Sequence, residues 1–139
     1  KSRIIAEKYM EKSDSSDLKD YKFFCFAGKV KCFKVDFDRY TEHHANYFDP
    51  EGNLLPFGEL ICPPIPDRKL DIPQSIEHMI RFAEALSTNI PFLRVDFYDV
   101  DGRVFFGELT FFPASGFGKI VPDEWDQILG SWIPYDFKS

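Results

Sequence analysis

No block of lysine or arginine stands out in this chain: 17 basic side chains are spread among 23 acidic ones over 139 residues, for a formal charge of −6. Without a basic face, the phosphate contacts that release counterions are missing, and nucleic acid is excluded as a partner. No apolar run approaches the roughly 20 residues that a bilayer requires. The start, Lys1-Ser2-Arg3, leads into a short apolar run and then charge, unlike a secretory signal. The cysteines Cys25, Cys32 and Cys62 are odd in number and lack CxxC spacing, which argues against a disulfide framework or a zinc site. Reduced thiols and a cytoplasmic location are the expectation. An initiator methionine is also missing, and Arg3-Ile4-Ile5-Ala6 reads as mid-strand, so the chain is expected to be a piece of a longer protein.

Aromatic rings are what the sequence has in abundance. Sixteen Phe stand against two Met, and apolar residues make up 44% of the chain, enough for one core built largely from rings on strands. A first strand is expected over Ile4 to Met10, followed by a polar loop to Asp17. Two runs, Tyr21–Phe26 and Val30–Phe37, read as a hairpin about Ala27-Gly28-Lys29. Thr41 to Ile72 is rich in Pro, Asp, Asn and Gly and is expected to be a long irregular excursion. Ile76, Met79, Ile80, Ala83 and Leu86 recur at helical spacing between Pro73 and Asn89. Phe92 to Phe112 then forms a second hairpin, and a short helix follows Pro122 with Trp125, Ile128, Leu129 and Trp132 inward. The order suits the α+β class: a mostly antiparallel sheet with helices packed on one face.

Strand alternation separates Arg94 and Asp96 from Leu93, Val95 and Phe97. On the returning strand it separates Glu108 and Thr110 from Leu109 and Phe111. Whether the polar sets share a face depends on the turn, since a one-residue slip inverts one strand. A two-residue Asp101-Gly102 turn would send Glu108 among the aromatics. A three-residue Val100-Asp101-Gly102 loop pairs Asp96 with Phe106 and Arg94 with Glu108, leaving no charge in the core, and is therefore expected. Two carboxylates flanking an arginine suit magnesium and polyphosphate. The same residues also suit an Arg94–Glu108 ion pair beside a solvated Asp96.

Phe92-Leu93-Arg94-Val95-Asp96-Phe97, Asp101-Gly102 and Gly107-Glu108-Leu109-Thr110-Phe111-Phe112-Pro113 together resemble the C-terminal signature of ATP-grasp enzymes. With Asp20-Tyr21-Lys22-Phe23, Cys25-Phe26 and Gly28, and with Ala114-Ser115-Gly116-Phe117-Gly118, the resemblance is to the TupA-like ATP-grasp family of bacterial cell-surface polysaccharide synthesis, teichuronopeptide included. It implies that residues 1–139 are the C-terminal part of an ATP-grasp domain. It further implies ATP-dependent ligation of a carboxylate, free or glycan-linked, to an amine through an acyl phosphate, with ATP and Mg²⁺ as cofactors. Asp96, Glu108 and Thr110 would hold the metal, Thr110 standing where the signature has Asn. Arg94, Lys22 and Arg39 would contact phosphate or acyl phosphate, and Glu7, Lys8 and Met10 the adenine, with Asp14 or Asp17 near the ribose.

Other motifs carry less. His43-His44 has no third ligand at usable spacing and reads as a solvated loop. Asp99-Val100-Asp101 and Asp36-Phe37-Asp38 match the short Asp-x-Asp element of metal-dependent glycosyltransferases, which keeps that class open as an alternative, beside a catalytically idle nucleotide-binding domain. Gly116-Phe117-Gly118-Lys119 lacks the spacing of a phosphate-binding glycine loop.

Overall fold

The computed structural model describes residues 3–6, 10, 12–13, 18–38 and 41–134. Five strands form one antiparallel sheet in the order β3-β2-β1-β5-β6. These are β1 (Asp20–Phe26), β2 (Lys29–Phe37), β3 (His44–Phe48), β5 (Phe92–Val100) and β6 (Arg103–Thr110). Two short strands, β4 (Gly58–Glu59) and β7 (Ile120–Val121), pair with each other outside it. The expected α+β class and antiparallel sheet are observed.

Alternation gives the sheet two unlike faces. Tyr21, Phe23, Phe33, Val35, Leu93, Val95 and Phe97 lie on one and pack under helix α1 (Ile76–Leu86), whose Met79 and Ala83 are fully buried. Full burial of a side chain such as Met79 contributes about 1.5–3 kcal/mol. The α1 stripe is the one that the sequence spacing predicts.

The opposite face is divided. At one end Phe24, Cys32 and Tyr47 are apolar and, with Phe57 from the loop before β4, are covered by Trp125 and Leu129 of helix α2 (Asp123–Ser131) and by Trp132 just after it. Phe57 stacks on Trp125 at 4.6 Å between centroids. At the other end the same alternating positions are Asp20, Lys22, Lys34, Asp36, Arg94 and Asp96, which line a cavity. Hence α1 and α2, expected on one face, take a face each, because the second face is apolar along half its length.

Two further expectations change. Residues 3–6 have no regular structure, and Ile4 and Ile5 are 98% and 83% exposed, so the described beginning of the expected first strand is not a strand. The excursion over 41–72 contains β3, which pairs with β2 along its whole length. The fully buried Asn46 hides this strand from sequence patterns. Its amide accepts from Ile65 N at 2.8 Å and donates to Ile65 O at 2.9 Å, so a polar residue in mid-strand is satisfied by the neighbouring loop.

The first hairpin turns on two residues, Ala27 (φ 49°) and Gly28 (φ 78°), with Phe26 paired to Lys29. Both central residues have positive φ, the type I′ geometry that Asn-Gly favours and a Cβ-bearing Ala disfavours. Ala27→Asn is expected to stabilise the fold by about 0.5–1 kcal/mol, read as a rise in melting temperature. An unchanged or lower melting temperature would contradict this geometry.

Candidate functional site

The site is built on the β5–β6 hairpin. From its tip the pairs run Val100↔Arg103, Asp99↔Val104, Tyr98↔Phe105 and Phe97↔Phe106. The turn is thus the two-residue Asp101-Gly102, with φ of 53° and 78°, and not the expected three-residue loop. Beyond Phe97 the register shifts, and Val95 meets Leu109 while Arg94 meets Thr110. Asp96 alone therefore stands against both Gly107 and Glu108. The expected pairs Asp96 with Phe106 and Arg94 with Glu108 are not formed. The expected convergence is nevertheless observed, because a bulge restores the face that the short turn would have inverted.

Gly107 makes the bulge possible. A Cβ there would lie 3.0 Å from Asp96 O and 3.1 Å from the Tyr98 ring, too close for a side chain without local movement. The result is a tight cluster. Arg94 Nε and Nη2 donate to Asp96 Oδ1 and Oδ2, both at 2.8 Å, and Nη2 also donates to Glu108 Oε1 at 2.5 Å. Thr110 Oγ1 donates to the same Glu108 oxygen at 3.1 Å. Asp96 is 2% exposed, whereas the Glu108 side chain is 62% exposed and can move.

Beside this cluster, Lys22 pairs with Asp20 and lies 3.0 Å from Asp36. Lys34 sits across the first hairpin from Lys22, 3.5 Å from Asp36 and 2.9 Å from Glu59. His43 Nε2 is 3.0 Å from Asp36 Oδ1. Together with Met10, Tyr98 and Phe106 these groups line a cavity of about 390 Å³. Of the residues singled out in the sequence, Met10, Lys22, Arg94, Asp96 and Glu108 line it, and Thr110 joins through Glu108. Glu7, Lys8, Asp14, Asp17 and Arg39 lie outside the described residues.

Asp20, Lys34, Asp36 and His43 were not singled out for this site. Lys34 and Asp36 could have been found by parity, since they alternate onto the face of Lys22. His43, read as solvated loop, is held against Asp36 by the strand that the sequence pattern hid.

Burial moves the Asp96 carboxyl up to about 6 even though Arg94 pulls it down. Burial also raises Asp36, but Lys34, Lys22 and a hydrogen bond from His43 outweigh it and hold that carboxyl at about 2. Two carboxylates on one face thus respond to acid in opposite ways.

Among the described residues no group of three or more His, Cys, Asp or Glu is arranged to hold a metal by itself. Asp96 and Glu108, with the Thr110 hydroxyl, nevertheless form a hard oxygen donor set that suits Mg²⁺ in company with phosphate oxygens. One guanidinium nitrogen bonded to both carboxylates shows that they already share a cation.

The Asp-x-Asp elements do not form a rival site. Asp99 Oδ1 accepts from Gly102 N at 3.0 Å and Oδ2 from Ser75 Oγ, while Asp101 accepts from Ser13 N. Asp36 faces Lys22 and Lys34, and Asp38 is exposed beside Arg68. Asp99→Asn is expected to cost about 1–2 kcal/mol, because a buried acceptor of two bonds loses one of its oxygens. A melting temperature equal to that of the parent would contradict this.

The family model described as TupA-like ATPgrasp matches residues 1–134. Neither the curated proteins nor the solved structures give a match.

Proposed function

The chain belongs to the TupA-like ATP-grasp family, and on that premise we propose that the divided sheet face binds Mg-ATP for carboxylate–amine ligation in bacterial cell-surface polysaccharide synthesis. The observation that carries this reading is the convergence of Asp96 and Glu108 on Arg94 at the Gly107 bulge. A simple cross-strand ion pair would need one carboxylate; here a register shift brings in a second. Asp96 and Glu108 would hold Mg²⁺, with Thr110 orienting Glu108. Bound there, the metal would neutralise charge on the phosphate oxygens.

Arg94 would contact the transferring phosphoryl group or the acyl phosphate, and Lys22 a neighbouring oxygen. A carboxylate oxygen of the substrate attacks the γ-phosphorus and ADP leaves. An amine then attacks the acyl carbon and phosphate leaves. The protein groups position and neutralise, and none acts as a nucleophile. Met10 would lie on the nucleoside side, with Glu7 and Lys8 as further adenine contacts, while Arg39 would join Lys22 on phosphate or acyl phosphate. The 139 residues would form the C-terminal wall of the nucleotide cleft, a reading supported by the edge position of β6 and the exposure of Phe106, Leu109 and Phe111. With ATP as its substrate, the proposed reaction would run in the cytosol. No helix among the described residues is long and apolar enough to cross a membrane.

Titration of the full-length protein with ATP, with and without Mg²⁺, and with a uridine diphosphate sugar tests the reading. ATP should bind, more tightly with Mg²⁺, and the sugar nucleotide should not compete. Preference for the sugar nucleotide would favour a glycosyltransferase, and no binding of either would favour an idle domain.

A further inference from the structure

The hairpin that carries Arg94, Asp96 and Glu108 has a second attachment at its other end. At the tip, Ser13 N donates to both carboxylate oxygens of Asp101, at 3.3 and 3.2 Å. Three residues earlier, Met10 lines the same cavity as Asp96 and Glu108. Asp96 and Asp101 are five residues apart, about 17 Å along an extended strand. One hairpin therefore carries Arg94, Asp96 and Glu108 through its middle and contacts Ser13, three residues from Met10, at its tip.

The turn does not require this carboxylate. Asp101 has φ 53° at the first central position of a type I′ turn, where glycine or asparagine serves as well. The acidic group instead does something that the turn cannot explain: it fixes a backbone amide 88 residues away in sequence. We infer that Asp101 is a positioning residue for the nucleoside half of ATP, tying Ser13 to the hairpin tip so that Met10 stays in the cavity at a fixed distance from the metal-binding carboxylates. Asp101 does not line the cavity, so its effect on ATP would pass through Ser13 and Met10. The inference rests on the Mg-ATP reading above.

The test compares Mg-ATP with magnesium tripolyphosphate, which has the phosphates and lacks the nucleoside, by calorimetry on the full-length protein. Asp101→Gly keeps the positive-φ turn and removes the acceptor. It is expected to weaken ATP binding roughly three- to tenfold, the equivalent of about one hydrogen bond, and to leave tripolyphosphate affinity unchanged. Asp101→Asn retains one neutral acceptor oxygen and should fall between the parent and Asp101→Gly. Equal loss for both ligands would overturn the inference, because the tip would then support the hairpin as a whole. Unchanged ATP affinity in Asp101→Gly would overturn it as well. A parent that binds neither ligand would instead overturn the Mg-ATP reading on which the inference rests.

Discussion

Asp96→Asn is expected to abolish magnesium-dependent ATP binding while raising the melting temperature of the metal-free protein near pH 7. The two effects have one cause. Burial disfavours the ionised carboxylate so strongly that the Arg94 bonds do not restore its ordinary value, and its pKa is pushed up to about 6. The folded pKa lies above the unfolded one, so the group's favourable contribution is full below about pH 4. That contribution is lost as pH rises through about 6, and the ionised group then opposes folding. Each pKa unit corresponds to about 1.4 kcal/mol, which puts the relief in Asp96→Asn on the order of 1–3 kcal/mol after the loss of one charge-assisted bond to Arg94. Melting curves from about pH 4 to pH 8 should show the parent losing stability over this window relative to the variant. A variant that melts below the parent near pH 7 and still binds Mg-ATP would make Asp96 a structural partner of Arg94 and no more.

Lys22→Met should produce the largest loss of stability. Lys22 is 6% exposed, is paired with Asp20 and Asp36, and stands opposite Asp96 on β5. Methionine fills much of the same volume but leaves these buried carboxylates with less compensating charge. Removing one partner from a buried ionic group costs about 3–5 kcal/mol. The pH dependence has a definite sign. In the parent, Asp36 is held at about 2, below its ordinary value, so the stability from its pairing is present above about pH 4 and lost as pH falls towards 2. In the variant Asp36 and Asp96 lose the lowering influence of Lys22 and gain protons more readily when folded, so the deficit against the parent, measured by urea unfolding, should narrow from about pH 7 towards pH 4. A constant deficit would mean that Lys22 acts through packing alone.

Much of this site was legible because strand alternation and burial are local rules. The separation of Arg94, Asp96, Glu108 and Thr110 from the aromatic set follows from the period of a strand and from the cost of a charge among phenylalanines. The route to the common face was not legible. A turn and a bulge change register by the same single residue, and charge burial alone cannot tell which of them makes the correction. Gly107 was the available signal, since glycine inside a strand marks a bulge or a close backbone approach. The excursion hid β3 for a different reason: the Asn46 side chain is satisfied by Ile65, whose position depends on the folded chain. His43 lies in a loop as expected, but because it directly precedes β3 its ring reaches Asp36 at 3.0 Å. The end of the sheet that α2 covers could have been anticipated, because Phe24, Cys32 and Tyr47 give the second face apolar residues that something must bury.

The most direct test of the Mg-ATP site is the magnesium dependence of ATP affinity in Glu108→Gln, measured together with its melting temperature in the full-length protein. Gln keeps the length of the side chain and an acceptor for Thr110, and removes the charge. If Glu108 is a metal ligand, magnesium-dependent binding should collapse while metal-free stability stays within about 1 kcal/mol of the parent, because this carboxylate is largely exposed. Undiminished Mg-ATP affinity with a lowered melting temperature would instead make Glu108 only the outer partner of Arg94, and would contradict the assignment of the hairpin as the magnesium site.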